Sequence, residues 1–578
     1  MKKLKHNPIP WDFLEPYKGR FFNGQWPTLP EMFDITTQRF GTRPCFEAFS
    51  PRHDQYTYNQ SRTILLKLAN HLSSIGVRKG DRVGLVGKNS PEWAFAYMAT
   101  LYAGAIIVPV DNALKIEEVS HLMSFAEVKV LFADLDKLDK LEFKTDVIAR
   151  ISLEDYDRPD YILNLQEETS SKIIEKAVDT DVAAILFTSG TTGTPKGVQL
   201  THLNLVADCY CAQAQMNIYA TDVFYAILPI HHAYTMLAVF IEAMSVGANI
   251  VFGKKLVVSQ IFKEMKDGHV TMFLAVPMLY NKLIAALMKG VKDKGPIVNG
   301  LIHAMMGISG FMKKAFNINP GKKMFKFLLK KVSLDENRIC ISGGGPLPAS
   351  TFKRFNQLGI DFVQGYGLTE TSPILTLVPM FDYEEASIGK AVGMVEIKIV
   401  DPDADGNGLL YARGPMVMKG YYKNQEATDE IIDKDGWINT GDIGHVDSRG
   451  FYYLTGRAKN IIVTEGGKNV FPEEIEDAFQ LYDDVDQICV LPFTVDKEKK
   501  SEGIAALVKP GDAAVKAYPD PSSLKAHIDG IIEAVNSTLL PYQRIRKTIV
   551  IDEDLEVTST KKVKRFKVLA KYKDKLND

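Results

Sequence analysis

A chain of 578 residues is too long for a single hydrophobic core, so two or more domains are expected. With 46% hydrophobic and 24% charged residues it has the balance of an ordinary globular protein, and a net charge of −2 gives no general reason to expect nucleic-acid binding. Cys45, Cys209, Cys211, Cys340 and Cys489 form no C-x-x-C pair and no metal-ligand spacing, which argues against a disulfide framework and points to reduced thiols.

The N-terminus, "MKKLKHNPIPWDFLEPYKG", is basic but lacks the apolar core of a signal peptide. In 61–76, Ile64, Leu65, Leu68, Leu72 and Ile75 fall at helical spacing. "DRVGLVG" (81–87) reads as a short buried strand. Ser90-Pro91 is a helix start, with an N-cap hydroxyl followed by proline, and that helix ends at Gly104. Strands at 105–110 and 128–134 flank another helix. Such alternation implies right-handed crossovers and a largely parallel sheet. The longest apolar region, 223–252, is broken by Pro229, His231, His232, Glu242 and Gly247, so it reads as buried helix and strand rather than a membrane span. A cytoplasmic protein is expected, with peripheral membrane contact left open.

The alternation resumes with strands at 249–253, 270–277, 338–346 and 361–367, the last two ending in Gly-rich loops. Ligands of open parallel sheets bind beyond the carboxyl ends of strands, where loops near 188, 343 and 365 all sit. From about 384 to 456 short alternating strands and dense turns mark a β-rich subdomain. The residues from 457 onward read as a small α+β domain with a basic tail. The expected division is thus 1–456, a large α/β domain, and 457–578.

Three loops carry chemistry. "LFTSGTTGTPKGVQLTH" (186–202) is rich in hydroxyls and small residues, which leave backbone N–H groups open to phosphate oxygens. It is not the common phosphate loop: Lys196 is preceded by Pro195 and followed by Gly197. "QGYGLTETSP" (364–373) offers an aromatic face in Tyr366 and a carboxylate suited to Mg²⁺ in Glu370. "INTGD" and "LTGR" add Asp442, able to accept ribose hydroxyls, and Arg457, able to hold phosphate. Alone, each of these short strings is an ordinary turn.

Together with "LPIHHAYTM", "SGGGPL", "GRAKNIIVTEGGKNVFPEEIE" and "TSTKKVKR", they occur in the order found in the adenylate-forming enzymes, and the chain resembles that superfamily over roughly 190 to 565. The resemblance implies two steps: ATP and a carboxylate form an acyl-adenylate, and a thiol then displaces AMP. It implies that Thr188, Ser189, Gly190, Thr191, Thr192 and Lys196 handle the β- and γ-phosphates, with Thr188 and Glu370 beside Mg²⁺. Gly344, Gly345 and Pro346 would flank the adenine and acyl pockets, Tyr366 would stack on adenine with Gly367 beside it, and Thr369 would face phosphate. Asp442 would bind ribose and Arg457 the nucleotide. His232 would gate the carboxylate pocket, Lys459 would be the hinge, and Gly466 and Gly467 would line the pantetheine channel. Of Lys561, Lys562 and Lys564, Lys562 best matches the catalytic lysine when "STKKVKR" is aligned to T-x-K-x-K-R. The family's commoner hinge residue is Asp rather than Lys.

The roughly fifty residues before "ICISGGGPL" resemble an insertion of long-chain fatty acyl-CoA synthetases. Residues 311–331 hold seven lysines and no acid, interleaved with Phe311, Phe316, Phe325 and Phe327. A stretch of this kind is suited to an anionic bilayer, or is a helical hairpin with a solvated lysine face. The expected activity is a long-chain fatty acid–CoA ligase using ATP, Mg²⁺ and coenzyme A. The alternatives are an acyl-AMP ligase serving an acyl carrier protein, an aryl or medium-chain CoA ligase, and a silent binding protein.

Overall fold

The computed structural model describes residues 11–144, 146–165, 174–188, 195–254, 257–464, 468–480, 482–496, 501–557 and 563–577. Among these the strands fall into two large sheets and three small ones.

The seven-stranded sheet has a parallel core of Arg82–Val86, Ile106–Pro109, Val128–Ala133, Ala149–Ser152 and Val182–Thr188. Lys196–Thr201 folds back antiparallel on Val182–Thr188, with Thr188 opposite Lys196. The nine-stranded sheet is parallel through Pro44–Ala48, Asn249–Phe252, Val223–Ala226, Met272–Ala275, Ile339–Ser342 and Asp361–Gly367. Predicted strands that read as one series are therefore divided between two sheets, and the hairpin Pro44–Ala48 with Asp54–Thr57 joins the later one.

Helices fill the space between the sheets. Pro91–Tyr102 is capped by Ser90, whose hydroxyl accepts from the Trp93 amide, and is buried almost all round. A helix apolar on every face belongs inside a core, and this one packs Phe95 against Phe46, and Trp93 and Tyr97 against Phe240. A second apolar layer covers the other face of the nine-stranded sheet, using Pro277–Lys292, Pro296–Phe316 and Ala349–Gln357. A third covers the other face of the seven-stranded sheet through Val119, Leu122 and Met123 of Ile116–Phe125. The result is an alternation of helix and sheet layers.

Antiparallel strands Glu396–Val400, Gly408–Arg413, Ile438–Val446 and Tyr452–Arg457 form a four-stranded sheet. Gly420–Tyr421, from the same stretch of chain, instead extends the seven-stranded sheet. Farther on, Val485–Asp496, Ser501–Pro510 and Lys547–Val550 form a three-stranded sheet. Pro521–Asn536 and Arg565–Asn577 contribute to the two apolar clusters on it.

The stretch 311–331 keeps five of its seven lysines exposed, while Lys313 and Lys322 are taken up in the fold. Lys313 is buried, 2.6 Å from Asp361 and 2.7 Å from Asn356 Oδ1. Lys322 donates to the Asn337 carbonyl, and Lys314 pairs with Glu385. Phe325, Leu328 and Leu329 are core. Lysine and phenylalanine spacing does not reveal partners that lie far along the chain.

Candidate functional site

The two large sheets meet at their carboxyl ends. Asn89, just beyond Arg82–Val86, donates at 2.8 Å to the carbonyls of Ala226, the last residue of Val223–Ala226, and of Leu228, two residues on. Its Oδ1 accepts from the Ile230 amide at 3.1 Å. One buried side chain thus fixes the 228–232 loop against the other sheet, satisfying donors and acceptor together.

On one side of this junction lie Tyr366, Asp442 and Arg457. Asp442 and Arg457 are direct partners in the antiparallel pair of Ile438–Val446 with Tyr452–Arg457. Arg457 Nε lies 2.7 Å from Asp442 Oδ1, and the Tyr366 hydroxyl donates to Oδ2 at 2.6 Å. Burial and the carboxylate beside it hold the Tyr366 phenol protonated far above its usual range. Burial opposes the Arg457 charge, but Asp442, together with Tyr366, Glu370 and Glu473, outweighs burial and raises the affinity of the guanidinium for its proton. Gly367 cannot carry a side chain, because a Cβ there would overlap the Pro373 carbonyl.

A second chain of contacts links Lys196, Tyr421 and Glu370. Lys196 Nζ sits 4.7 Å from the centre of the Tyr421 ring. The Tyr421 hydroxyl donates to Glu370 Oε1 at 2.8 Å. The Glu370 carbonyl accepts from the Met418 amide at 2.9 Å, which anchors the short turn Thr369–Thr371. A carboxylate oriented by a neutral hydroxyl is a donor that fits a hard divalent cation such as Mg²⁺.

The third group is formed by the 228–234 and 343–346 loops. Tyr234 donates to the Ile341 carbonyl at 3.0 Å, and Gly343 lies flat on its ring, where a Cβ would come within 2.8 Å. Gly344 has φ of +82° with open space where a Cβ would be, so this loop presents bare backbone. His232 lies with its ring centre 4.3 Å from that of His231, and His231 Nε2 is 3.7 Å from Asp111 Oδ1. The ligand atoms of Asp111, His231 and His232 lie within 4.8 Å of one another.

Residues past 457 reach this region. Gln480 donates to the Pro346 carbonyl at 3.4 Å and accepts from Asn281 Nδ2 at 3.1 Å. Lys459 lies in the turn Ala458–Asn460, between Arg457, bound to Asp442, and Asn460, whose side-chain amide donates to Glu473 at 2.5 Å. Arg565 grips Glu476 with two bonds of 2.7 and 2.9 Å. Ser189, Gly190, Thr191, Thr192, Gly466, Gly467 and Lys562 lie outside the described residues.

Of the predicted residues, the structure gathers Tyr366, Asp442 and Arg457 into one contact set. Among the described residues it joins Lys196 to Glu370 through Tyr421, which sequence reasoning passed over. It also passed over Asn89, Asp111, His231 and Tyr234. The only local signal for Asn89 is its place before a Ser-Pro helix start, and for Tyr421 its place in "KGYY".

Residues 33–422 match the model of the AMP-binding enzyme family, and 459–578 match that of the AMP-binding enzyme C-terminal domain. The chain is similar to the long-chain-fatty-acid–CoA ligase FadD15 of Mycobacterium bovis, at 30% identity over 89% of this chain and 90% of that protein. It is 25% identical to the Arabidopsis thaliana long-chain-fatty-acid–[acyl-carrier-protein] ligase AEE15, chloroplastic, over 96% and 87% of the two chains. The crystal structure of the anthranilate CoA ligase AuaEII with anthranoyl-AMP superposes with a TM-score of 0.76 at 21% identity, covering 96% of this chain and 98% of that one, which shows a shared fold. The chain belongs to the AMP-binding enzyme family: it is an adenylate-forming, acyl-activating enzyme.

Proposed function

We propose that this enzyme is an acid–thiol ligase that activates a long-chain fatty acid with ATP and transfers the acyl group to coenzyme A. The observation that carries the nucleotide half is the contact set Tyr366–Asp442–Arg457, which combines an aromatic face, a carboxylate for ribose hydroxyls and a fixed cation. The acyl half is supported by the name of the 30% identical relative and by the insert that ends near Arg338.

A carboxylate at neutral pH is a poor electrophile because oxide cannot leave. Its attack on the α-phosphate of ATP forms the acyl-adenylate and expels pyrophosphate, and a thiol then displaces AMP. The first step brings anions together, so cations must offset charge where it builds up. In this reading Lys196 and the Thr188–Thr192 loop hold the β- and γ-phosphates, and Lys562 approaches the reacting carboxylate. Glu370 with Thr188 would hold Mg²⁺, which when bound would neutralise phosphate charge. Tyr366 carries the adenine on its face, with Gly367 leaving it room and Thr369 turned to phosphate. Gly344, Gly345 and Pro346 flank the base and acyl pockets, and His232 gates the carboxylate.

The thiol must then reach an acyl carbon that the first step enclosed. We assign 457–578 as a mobile unit on 1–456, hinged at Lys459, that withdraws Lys562 and brings Gly466 and Gly467 to the pantetheine path. The anchors on either side of Lys459, at Arg457 and Asn460, suit a single residue absorbing the rotation.

Carrier-protein phosphopantetheine is the second reading of the acceptor, favoured by similarity to a long-chain-fatty-acid–[acyl-carrier-protein] ligase. Both thiols end in the same arm. The test is a panel of short, medium, long-chain and aryl acids with ATP and Mg²⁺, read first as pyrophosphate release and then as thioester with coenzyme A or holo-carrier protein. Long-chain acids with coenzyme A should give the highest kcat/KM. Preference for an aryl acid, or thioester only on the carrier, would replace the corresponding half of this reading.

A further inference from the structure

The helix Pro296–Phe316 has two apolar faces. One, with Ile302 and Met306, is buried in the layer over the nine-stranded sheet. The other is turned to solvent: Ile297 is 86% exposed, Leu301 59%, Ile308 58% and Phe311 64%. These four recur at four-, seven- and three-residue steps, so they line one side of the helix, opposite its buried side. The stripe runs about 21 Å at 1.5 Å per residue. Phe316 and Ile318, also exposed, continue it past the helix end. Scattered surface hydrophobics are normal, but a contiguous row of large ones marks a contact surface.

The charge of the segments that precede and follow the stripe in the chain argues for the partner. Residues 277–331 contain eleven lysines and one acid, Asp293. All the lysines except Lys313 and Lys322 are exposed. A second copy of the same face would set lysine against lysine. An anionic lipid surface accepts both features, taking the aliphatic row below the headgroups and the ammonium groups at the phosphate level. Beside the stripe lies a cleft of about 500 Å³ lined by Gly307, Gly310, Phe311, Lys314 and Lys353, in which Lys314 pairs with Glu385. No helix among the described residues is long and apolar enough to cross a membrane, so the contact is with one leaflet.

We propose that the outward face of Pro296–Phe316 docks this enzyme on the surface of an anionic lipid bilayer. The apolar row, rather than the 311–331 lysines alone, is the inserted element. The proposal does not depend on the acyl specificity argued above.

The test uses the full-length enzyme and vesicles of phosphatidylcholine with or without phosphatidylglycerol. Wild type should co-sediment with the anionic vesicles and dissociate as salt rises. Ile308→Glu with Phe311→Glu should lower that binding at least tenfold while thermal stability and adenylation of a soluble short acid stay unchanged. Leu301→Trp should show a blue-shifted emission, quenched by brominated lipid, only with anionic vesicles. Wild type that ignores anionic vesicles at low salt overturns the proposal. So does vesicle binding by the Leu301→Trp variant with no change in its emission, which would place the contact elsewhere. Concentration-dependent dimerisation abolished by the double substitution, without vesicle binding, also overturns it and makes the stripe a self-association face.

Discussion

The Tyr366 hydroxyl donates to Asp442 Oδ2 at 2.6 Å, while Arg457 holds the other carboxylate oxygen at 2.7 Å. The carboxylate assigned to ribose is thus positioned from both sides before any nucleotide arrives. Asp442→Ala removes a charged acceptor for ribose hydroxyls and strands both partners. It should lower kcat/KM for ATP by roughly 100-fold, since hydrogen bonds to a charged group contribute about 1.5–3 kcal/mol. Tyr366→Phe keeps the ring face and should cost less than about tenfold on the same scale. Steady-state kinetics in ATP check this. An equal loss in both variants would show that the hydroxyl, not the ring, carries the contact.

Tyr421 lies between Lys196 and Glu370 and should act as a positioning residue for the metal ligand. Tyr421→Phe retains the ring under Lys196 but frees the Glu370 carboxylate to reorient. The Mg²⁺ concentration for half-maximal rate should rise about tenfold, as when the outer partner of a metal ligand is removed. Saturating Mg²⁺ should largely restore kcat. A fall in kcat that Mg²⁺ does not repair would place Tyr421 in the chemistry itself.

Arg565 follows Lys562 by three residues and forks onto Glu476, with a further contact of 3.4 Å to Glu473. Arg565→Met leaves a half-buried carboxylate without its cation and should destabilise the fold by about 3 kcal/mol. Adding Glu476→Leu should recover much of that loss, because the pair is then replaced rather than broken. Denaturant unfolding of the single and double variants measures both. Lys562→Ala, by contrast, should leave stability alone, abolish pyrophosphate release and spare thioester formation from supplied acyl-adenylate.

Glu242 gives the clearest pH dependence. It is buried, with Cys209 Sγ at 2.9 Å from one carboxylate oxygen and no hydrogen bond at the other. Burial pushes its pKa up to about 8, against an ordinary value of 4.5. The folded state therefore holds the proton where the unfolded state releases it. That stabilisation is full below 4.5 and is lost as pH rises through about 8, at no more than about 1.4 kcal/mol per pH unit. Glu242→Gln removes the titration. Its melting temperature should gain on wild type as pH climbs from about 4.5 to about 8 and level off above, because folded and unfolded wild type differ in bound protons only between those values. A constant difference across that window would contradict the assignment.

The alternation of strand and helix was legible because buried parallel strands read as short apolar runs. Thus 81–87, 128–134 and 361–367 match Arg82–Val86, Val128–Ala133 and Asp361–Gly367. Which sheet each run joins was not legible. Pairing is decided by packing between distant segments, and Pro44–Ala48 finds its partner at Asn249–Phe252, about 200 residues on. At the site, residues in loops of unusual composition, such as Tyr366 and Glu370, could be picked out. Asn89 and Tyr421 could not, because their importance lies in partners brought near only by the fold. Charge counting misjudged Lys313 for the same reason: its partner Asp361 is 48 residues away.

The central claim is that activation passes through an acyl-adenylate. It is tested most directly with a long-chain fatty acid carrying heavy oxygen in its carboxylate, incubated with ATP, Mg²⁺ and coenzyme A. Attack of that carboxylate on the α-phosphate, followed by thiol displacement of AMP, must leave one labelled oxygen in the AMP phosphate and none in pyrophosphate. Mass spectrometry of the two products reads this in a single experiment. Label in AMP alone is the predicted result. Label in pyrophosphate or inorganic phosphate, or thioester formed with unlabelled AMP, would contradict the account.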